Sequence, residues 1–169
     1  MKSVIRPEAW LSFSLLLMLA SNSAAQAPQP QPDQPETKLP ILLSAKPLKE
    51  APKDDELRKL LKARYNEAVG EVKEIYERFR LGRVIIDAFA DAGQRLVQAG
   101  VELYDKPGDK VALLTQFVEL TKEAEKSAQA LHDIGKLASA DLHRARYQRL
   151  DAEIQLLRAK READKAKGK

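Results

Sequence analysis

Seven of the nine prolines fall between Ala27 and Pro52, at positions 28, 30, 32, 35, 40, 47 and 52, and only Pro107 stands in the chain beyond. Each ring fixes φ, removes an amide donor and pushes the preceding residue out of the α region, so residues 26–52 are expected to be an extended, disordered Pro-rich linker without helix. One apolar island, Leu39, Ile41, Leu42 and Leu43, interrupts it and is suited to docking on whatever follows. Pro-Gln-Pro-Gln-Pro is also a conceivable ligand for an aromatic groove, but a plain spacer is the simpler reading.

Before the prolines, Lys2 and Arg6 precede an apolar run from Trp10 to Ala20, followed by Ser21, Ser23, Ala24 and Ala25. This order is that of a secretory signal peptide over residues 1–25, cleaved after Ala25. A run of eleven residues falls short of the about 20 that a helical membrane span needs. The expected destination is the periplasm or the cell envelope. Losing Lys2, Arg6 and Glu8 lowers the net charge of +4 by one, so charge says little about partners.

After Pro52 the chain becomes rich in Ala, Leu, Glu, Lys and Arg. Aromatic residues make up 5% of the whole, too few for a thick core and suited to helices packed through narrow seams. Carboxylates at Asp54, Asp55 and Glu56 suit the positive end of a helix dipole. From there Leu57, Leu61, Tyr65, Ala68, Val72, Ile75 and Phe79 repeat at spacings of three and four, one stripe of a helix. Gly82 interrupts the pattern, which resumes at Ile85, Phe89, Ala92, Leu96, Ala99 and Leu103 and stops at Asp105-Lys106-Pro107-Gly108-Asp109. A third segment carries Leu114, Phe117, Thr121, Ala124, Ala128 and Leu131. Gly135 interrupts again before a last helix to about Ala163, with residues 165–169 read as a basic disordered tail.

The two single glycines are related. A shift of 53 residues lays Gly82-Arg83-Val84 on Gly135-Lys136-Leu137, Ala92 on Ala145, Ala99 on Ala152 and Leu103 on Leu156, a faint internal repeat. Alanine every seven residues lets two helices approach at the close end of the usual range of about 8–10 Å. Phe79-Arg80-Leu81-Gly82-Arg83-Val84, and more closely Leu131-His132-Asp133-Ile134-Gly135-Lys136 with Ser139, Asp141, Leu142, Ala145 and Ala152, resemble the helical-hairpin repeat of the TolC-type outer-membrane efflux proteins over about residues 60–160. The resemblance implies that Gly135, Ser139 and Leu142, and more loosely Gly82, lie near hairpin tips that meet a partner protein. The first copy lacks the serine, and His132 stands where the aromatic is expected. Nothing between the helices provides the 9–11 alternating residues of a membrane-spanning β-strand, so the chain corresponds to the helical part of such a protein and not to a channel.

Two all-α architectures satisfy the pattern for a helical coiled-coil domain over residues 53–164. In the preferred one the glycines are tolerated inside two helices of roughly 50 residues, forming one long antiparallel coiled-coil hairpin of about 75 Å that turns at Pro107-Gly108. In the alternative, breaks at Gly82 and Gly135 give a four-segment bundle.

Reactive chemistry is scarce. No cysteine is present, which removes disulfides, thiolate metal sites and cysteine nucleophiles. His132 and His143 are three turns apart, about 16 Å along a helix, too far to share one metal. Glu74, Glu77, Glu119, Glu123 and Glu125 sit among Lys73, Arg78, Lys122 and Lys126 at helical spacing and read as surface pairs. Ser139 reads as a helix N-cap. Tyr65, Tyr76, Tyr104 and Tyr147 read as packing. Lys160, Arg161, Lys165, Lys167 and Lys169 offer a contact to anionic lipid, though a solvated end is the plain reading; nucleic acid does not suit an exported chain. No catalytic, cofactor or metal residue is expected. The expected function is that of an exported, non-catalytic coiled-coil protein of the envelope, an assembly or accessory partner that self-associates or binds another coiled coil. The alternative is a periplasmic holdase-type chaperone or ligand-binding bundle gripping its cargo with exposed Phe79, Phe89 and Phe117.

Overall fold

A computed structural model describes residues 40–168. The expected signal peptide and the linker up to Thr37-Lys38-Leu39 lie outside the described residues. Within them 80% of residues are helical and none is in a strand. The elements are α1 (Ile41–Ser44), α2 (Glu56–Arg80), α3 (Ile86–Leu103), α4 (Pro107–Asp133) and α5 (Ser139–Lys167).

The long continuous hairpin does not form. Gly82 and Gly135 adopt φ of +65° and +71°, the left-handed conformation that ends a helix and that glycine enters without a side-chain penalty. At each the same pair of bonds closes the helix. The Gly82 N–H donates to Phe79 O and the Arg83 N–H to Arg78 O; the Gly135 N–H donates to His132 O and the Lys136 N–H to Leu131 O. This is the Schellman motif, which satisfies carbonyls that would otherwise be orphaned. The four-segment arrangement is therefore the observed one, and α2–α3 and α4–α5 are two hairpins of the same design, 53 residues apart.

Between the hairpins the chain turns at Tyr104–Lys106. Pro107 is the first residue of α4 and not part of the turn, a position where its missing N–H costs nothing. At the start of α2, Asp55 is the N-cap, its carboxylate accepting from the Arg58 N–H at 2.7 Å. Ser139 is not a cap: Ala138 occupies that position without a side-chain bond, and Ser139 is the first helical residue. The carboxy-terminal helix also continues beyond Ala163. Ala163 is buried, and α5 carries on through the basic residues to Lys167.

Helix α3 packs chiefly on α2, and α5 on α4; α3 and α4 also touch, as do α3 and α5 and α2 and α4, whereas α2 and α5 do not meet. In cross-section the four rods form two triangles sharing the α3–α4 edge. Helix α3 is the most enclosed, burying Ala92, Gly93, Leu96, Val97, Ala99, Gly100 and Leu103 around most of its circumference. Its close approach to α4 depends on two glycines one heptad apart. A Cβ at Gly93 would come within 2.9 Å of the Phe117 ring, and one at Gly100 would overlap the Leu113 side chain.

The Pro-rich segment is not free of the helices where it is described. Ile41–Ser44 forms one helical turn between Pro40 and the extended residues after it, and Leu42 and Leu43, each 1% exposed, are buried against α2 and α4. Leu48 then brackets Asn66, its N–H donating to Oδ1 at 2.8 Å while Asn66 Nδ2 donates to its carbonyl at 2.9 Å. The apolar island provides the burial, and the two bonds to one amide fix where the strand of chain crosses α2.

Candidate interaction surface

The two glycine turns share one end of the bundle. A Cβ at Gly82 would lie 3.4 Å from Leu131 Cδ2, in the last turn of α4, and Arg144 of α5 pairs with Asp87 of α3 just behind the tips. His132 stiffens the second turn: its Nδ1 lies 3.0 Å from the Leu137 carbonyl, a hydrogen bond across the loop. The C-cap residues just before each glycine, Leu81 and Ile134, and the N-cap residue of α3, Ile85, point outward. Leu81, Ile85 and Ile134 are between 41% and 64% exposed, aliphatic side chains held at a rigid tip beside Arg83 and Lys136, which are also exposed.

The four residues that the sequence ties to a partner divide accordingly. Gly82, Gly135 and Ser139 are exposed at this end. Leu142 is not: it is buried in the core with Ala145, since α5 turns that side toward the other helices. Phe79, Phe89 and Phe117 are likewise core residues, Phe79 stacked against Phe89 with ring centroids 6.0 Å apart, so the surface expected for gripping cargo is not formed by them. Tyr65 and Tyr76 are buried and Tyr65 meets Tyr104 edge to face at 5.8 Å, as packing would have it. Tyr147 instead stands in solvent.

The carboxylates are used in holding helices together. Glu71 takes a two-pronged bond from Arg95, at 3.0 and 2.5 Å, and Glu102 accepts from Arg64 at 2.6 Å, both between α2 and α3. Glu125 accepts from Arg149 and lies 3.7 Å from Arg146, between α4 and α5. Glu74 with Arg78 and Glu119 with Lys122 are surface pairs along single helices. The bond from Arg95 holds the Glu71 carboxyl below its ordinary range, and those from Arg64 and then Gln98 do the same for Glu102. The α2–α3 ion pairs line a groove of about 420 Å³ whose floor is Ala68 and Ala99. Among the charged residues lining it, Arg95 pairs with Glu71 inside the groove, Arg64 pairs with Glu102 beyond its lining, and Glu67 takes part in no ion pair. Among the described residues no group of three or more His, Asp or Glu is placed to hold a metal ion. No helix among them is long and apolar enough to cross a membrane.

No protein-family model, no curated protein and no solved structure matches this chain.

Sequence reasoning missed two features. It did not single out Leu150 and Ile154, which lie exposed on the outer side of α5. It also set Ile85 in the inward stripe, where Ile86 is the buried residue and Ile85 is exposed, and it passed over the outward side of Leu81 and Ile134, whose signal was present: an aliphatic residue immediately before a helix-ending glycine, where a polar residue would serve the turn equally well.

Proposed function

We propose that this chain is an exported, non-catalytic helical protein of the cell envelope that recognises a partner protein through the end bearing the Gly82 and Gly135 turns. The observation that carries this reading is the display of Leu81, Ile85 and Ile134 at two side-by-side turns of the same construction. An exposed aliphatic group on a rigid, fully hydrogen-bonded turn loses little entropy when it is covered, which favours its use in contact. Coiled-coil packing within each hairpin and a TolC-like way of meeting an adaptor belong to the same proposal. They are supported by the repeated Phe-x-x-Gly and His-x-x-Gly turns and by the alanines Ala92, Ala99, Ala145 and Ala152, all buried between helices. The reading as non-catalytic rests on acids and bases already engaged with one another, and that of export on Lys2 to Ala25.

The reading is tested by in-cell crosslinking and fractionation. Wild-type chain is expected in the envelope fraction, crosslinked to a discrete partner. The Ile85→Glu, Ile134→Glu double variant is expected to keep its helical circular dichroism and its location while losing that crosslink. Retention of the crosslink would remove the tip from the interface, and wild-type protein confined to the cytoplasm would remove the export reading.

A further inference from the structure

Helix α5 is apolar on two opposite sides. One side, with Leu142, Ala145, Ala152, Leu156 and Ala163, is buried on α3 and α4. The other carries Tyr147, Leu150, Ile154 and Leu157, at spacings of three, four and three, each between 46% and 67% exposed. A corner helix touching only two neighbours would ordinarily present charged residues on that outer side. Here a seam of two heptads faces solvent instead, with Tyr147 and Ile154 in the a positions and Leu150 and Leu157 in the d positions.

We infer that this seam pairs with the same seam of a second copy, as a parallel, in-register two-stranded coiled coil of α5 with α5. The flanking charges select the arrangement. Arg146 and Glu153 fall at g, Asp151 and Arg158 at e. In a parallel pair each g residue meets the e residue five positions on in the other strand, so Arg146 faces Asp151 and Glu153 faces Arg158, opposite charges in every case and twice over by symmetry. The antiparallel register that overlaps the four apolar residues fully is disfavoured at every flank. It sets Glu153 against Glu153, Asp151 against Asp151, Arg146 against Lys160 and Arg144 against Arg158. Sliding the antiparallel pair by one heptad relieves the charges but moves Ile154 onto His143 and Leu157 onto Ala140. Isoleucine at a with leucine at d is also the combination that favours two parallel strands. The flanking groups are free to take part: Arg146 and Glu153, although each also reaches a neighbour within the chain, leave 44% and 35% of their side-chain surface open. Two heptads would be too few for isolated peptides, but α5 is already folded on α4, so no helix has to be nucleated on association.

The absence of native cysteine allows a direct test on the full chain. Leu150→Cys and Leu157→Cys, prepared separately, are each expected to form a disulfide-linked dimer under mild oxidation, because a parallel pair in register places each d residue opposite its own copy. Lys122→Cys and Gln98→Cys, on the outer sides of α4 and α3, are expected to remain monomeric. In sedimentation of the cysteine-free chain, Arg158→Glu is expected to weaken association roughly 3- to 10-fold, and Glu153→Arg added to it to restore the lost affinity. Linkage only in mixtures of Tyr147→Cys with Leu157→Cys chains would overturn the parallel arrangement. A wild-type chain that stays monomeric at 100-fold the concentration of the first experiment would overturn the pairing itself. The tip variant Ile85→Glu, Ile134→Glu is expected to dimerise like the wild type, which keeps this inference separate from the proposed partner contact.

Discussion

Single residues decide how closely these helices approach and where they stop. Gly70 lies mid-helix in α2, and a methyl group there would meet nothing within 4 Å. Gly70→Ala should therefore stabilise the fold by about 0.5–1 kcal/mol, seen as a higher urea midpoint at unchanged slope. Gly100→Ala should do the reverse by about 1–3 kcal/mol, because Leu113 and Tyr65 occupy the space, and Gly135→Ala should cost about 1–2 kcal/mol through its left-handed backbone alone. The Tyr76 hydroxyl is buried without a hydrogen-bond partner, and burial, followed by the nearby Glu123 charge, raises its pKa above the ordinary tyrosine value. Burial raises that of Tyr65 in the same direction, with Tyr104 adding to it. Tyr76→Phe should accordingly leave stability unchanged or improved, since the ring stays and only an unsatisfied polar atom goes.

At the scale of elements, ion pairs set the register of α2 against α3, and their protonation should set the acid limit of stability. The folded pKa values of Glu71 and Glu102 lie below their unfolded ones, as does that of Asp54, which accepts from Lys62 and from the Ala51 N–H. Their contribution is complete above the unfolded values, near pH 4–4.5, and is lost as pH falls through the folded ones; for the buried tyrosines the sign is opposite, and stability declines as pH rises above about 10. Thermal melts are expected to give a plateau between these limits, and Glu71→Gln should flatten the acid limb without moving the alkaline one. Element α1 makes its own prediction. Leu42→Ala with Leu43→Ala should destabilise the domain by several kcal/mol, as expected for two fully buried leucines and not for residues of a free linker. The four apolar stripes and their interruptions at Gly82 and Gly135 were legible from periodicity, because apolar spacing and a glycine between stripes are local signals, although the preferred reading carried helix through both glycines. Choosing between a tolerated glycine and a turn was beyond the pattern: the positive φ of Gly82 and Gly135 and the bonds closing onto the Arg78 and Leu131 carbonyls decide it, and a stripe of apolar spacing reads the same with or without them. The one-turn helix between prolines was hidden as well, its folding being driven by leucine burial and not by propensity.

For the whole molecule, the candidate surfaces were less legible than the fold. Periodicity identifies an apolar stripe but does not say whether it faces inward, and α5 carries two. Phe79, Phe89 and Phe117 looked available and form the core, whereas Leu150 and Ile154, which no stripe in the sequence singled out, face water. Both assignments depend on which helices surround a given rod, which no window of sequence contains. That arrangement also has a dynamic consequence. Since α2 and α5 occupy opposite corners and share no contact, either can lift away without uncovering the far triangle, while α3 and α4 are released only when the entire assembly comes apart. Deuterium should thus enter the backbone in tiers, the middle pair of rods guarding their amide protons longest and the two flanks exchanging theirs independently of one another.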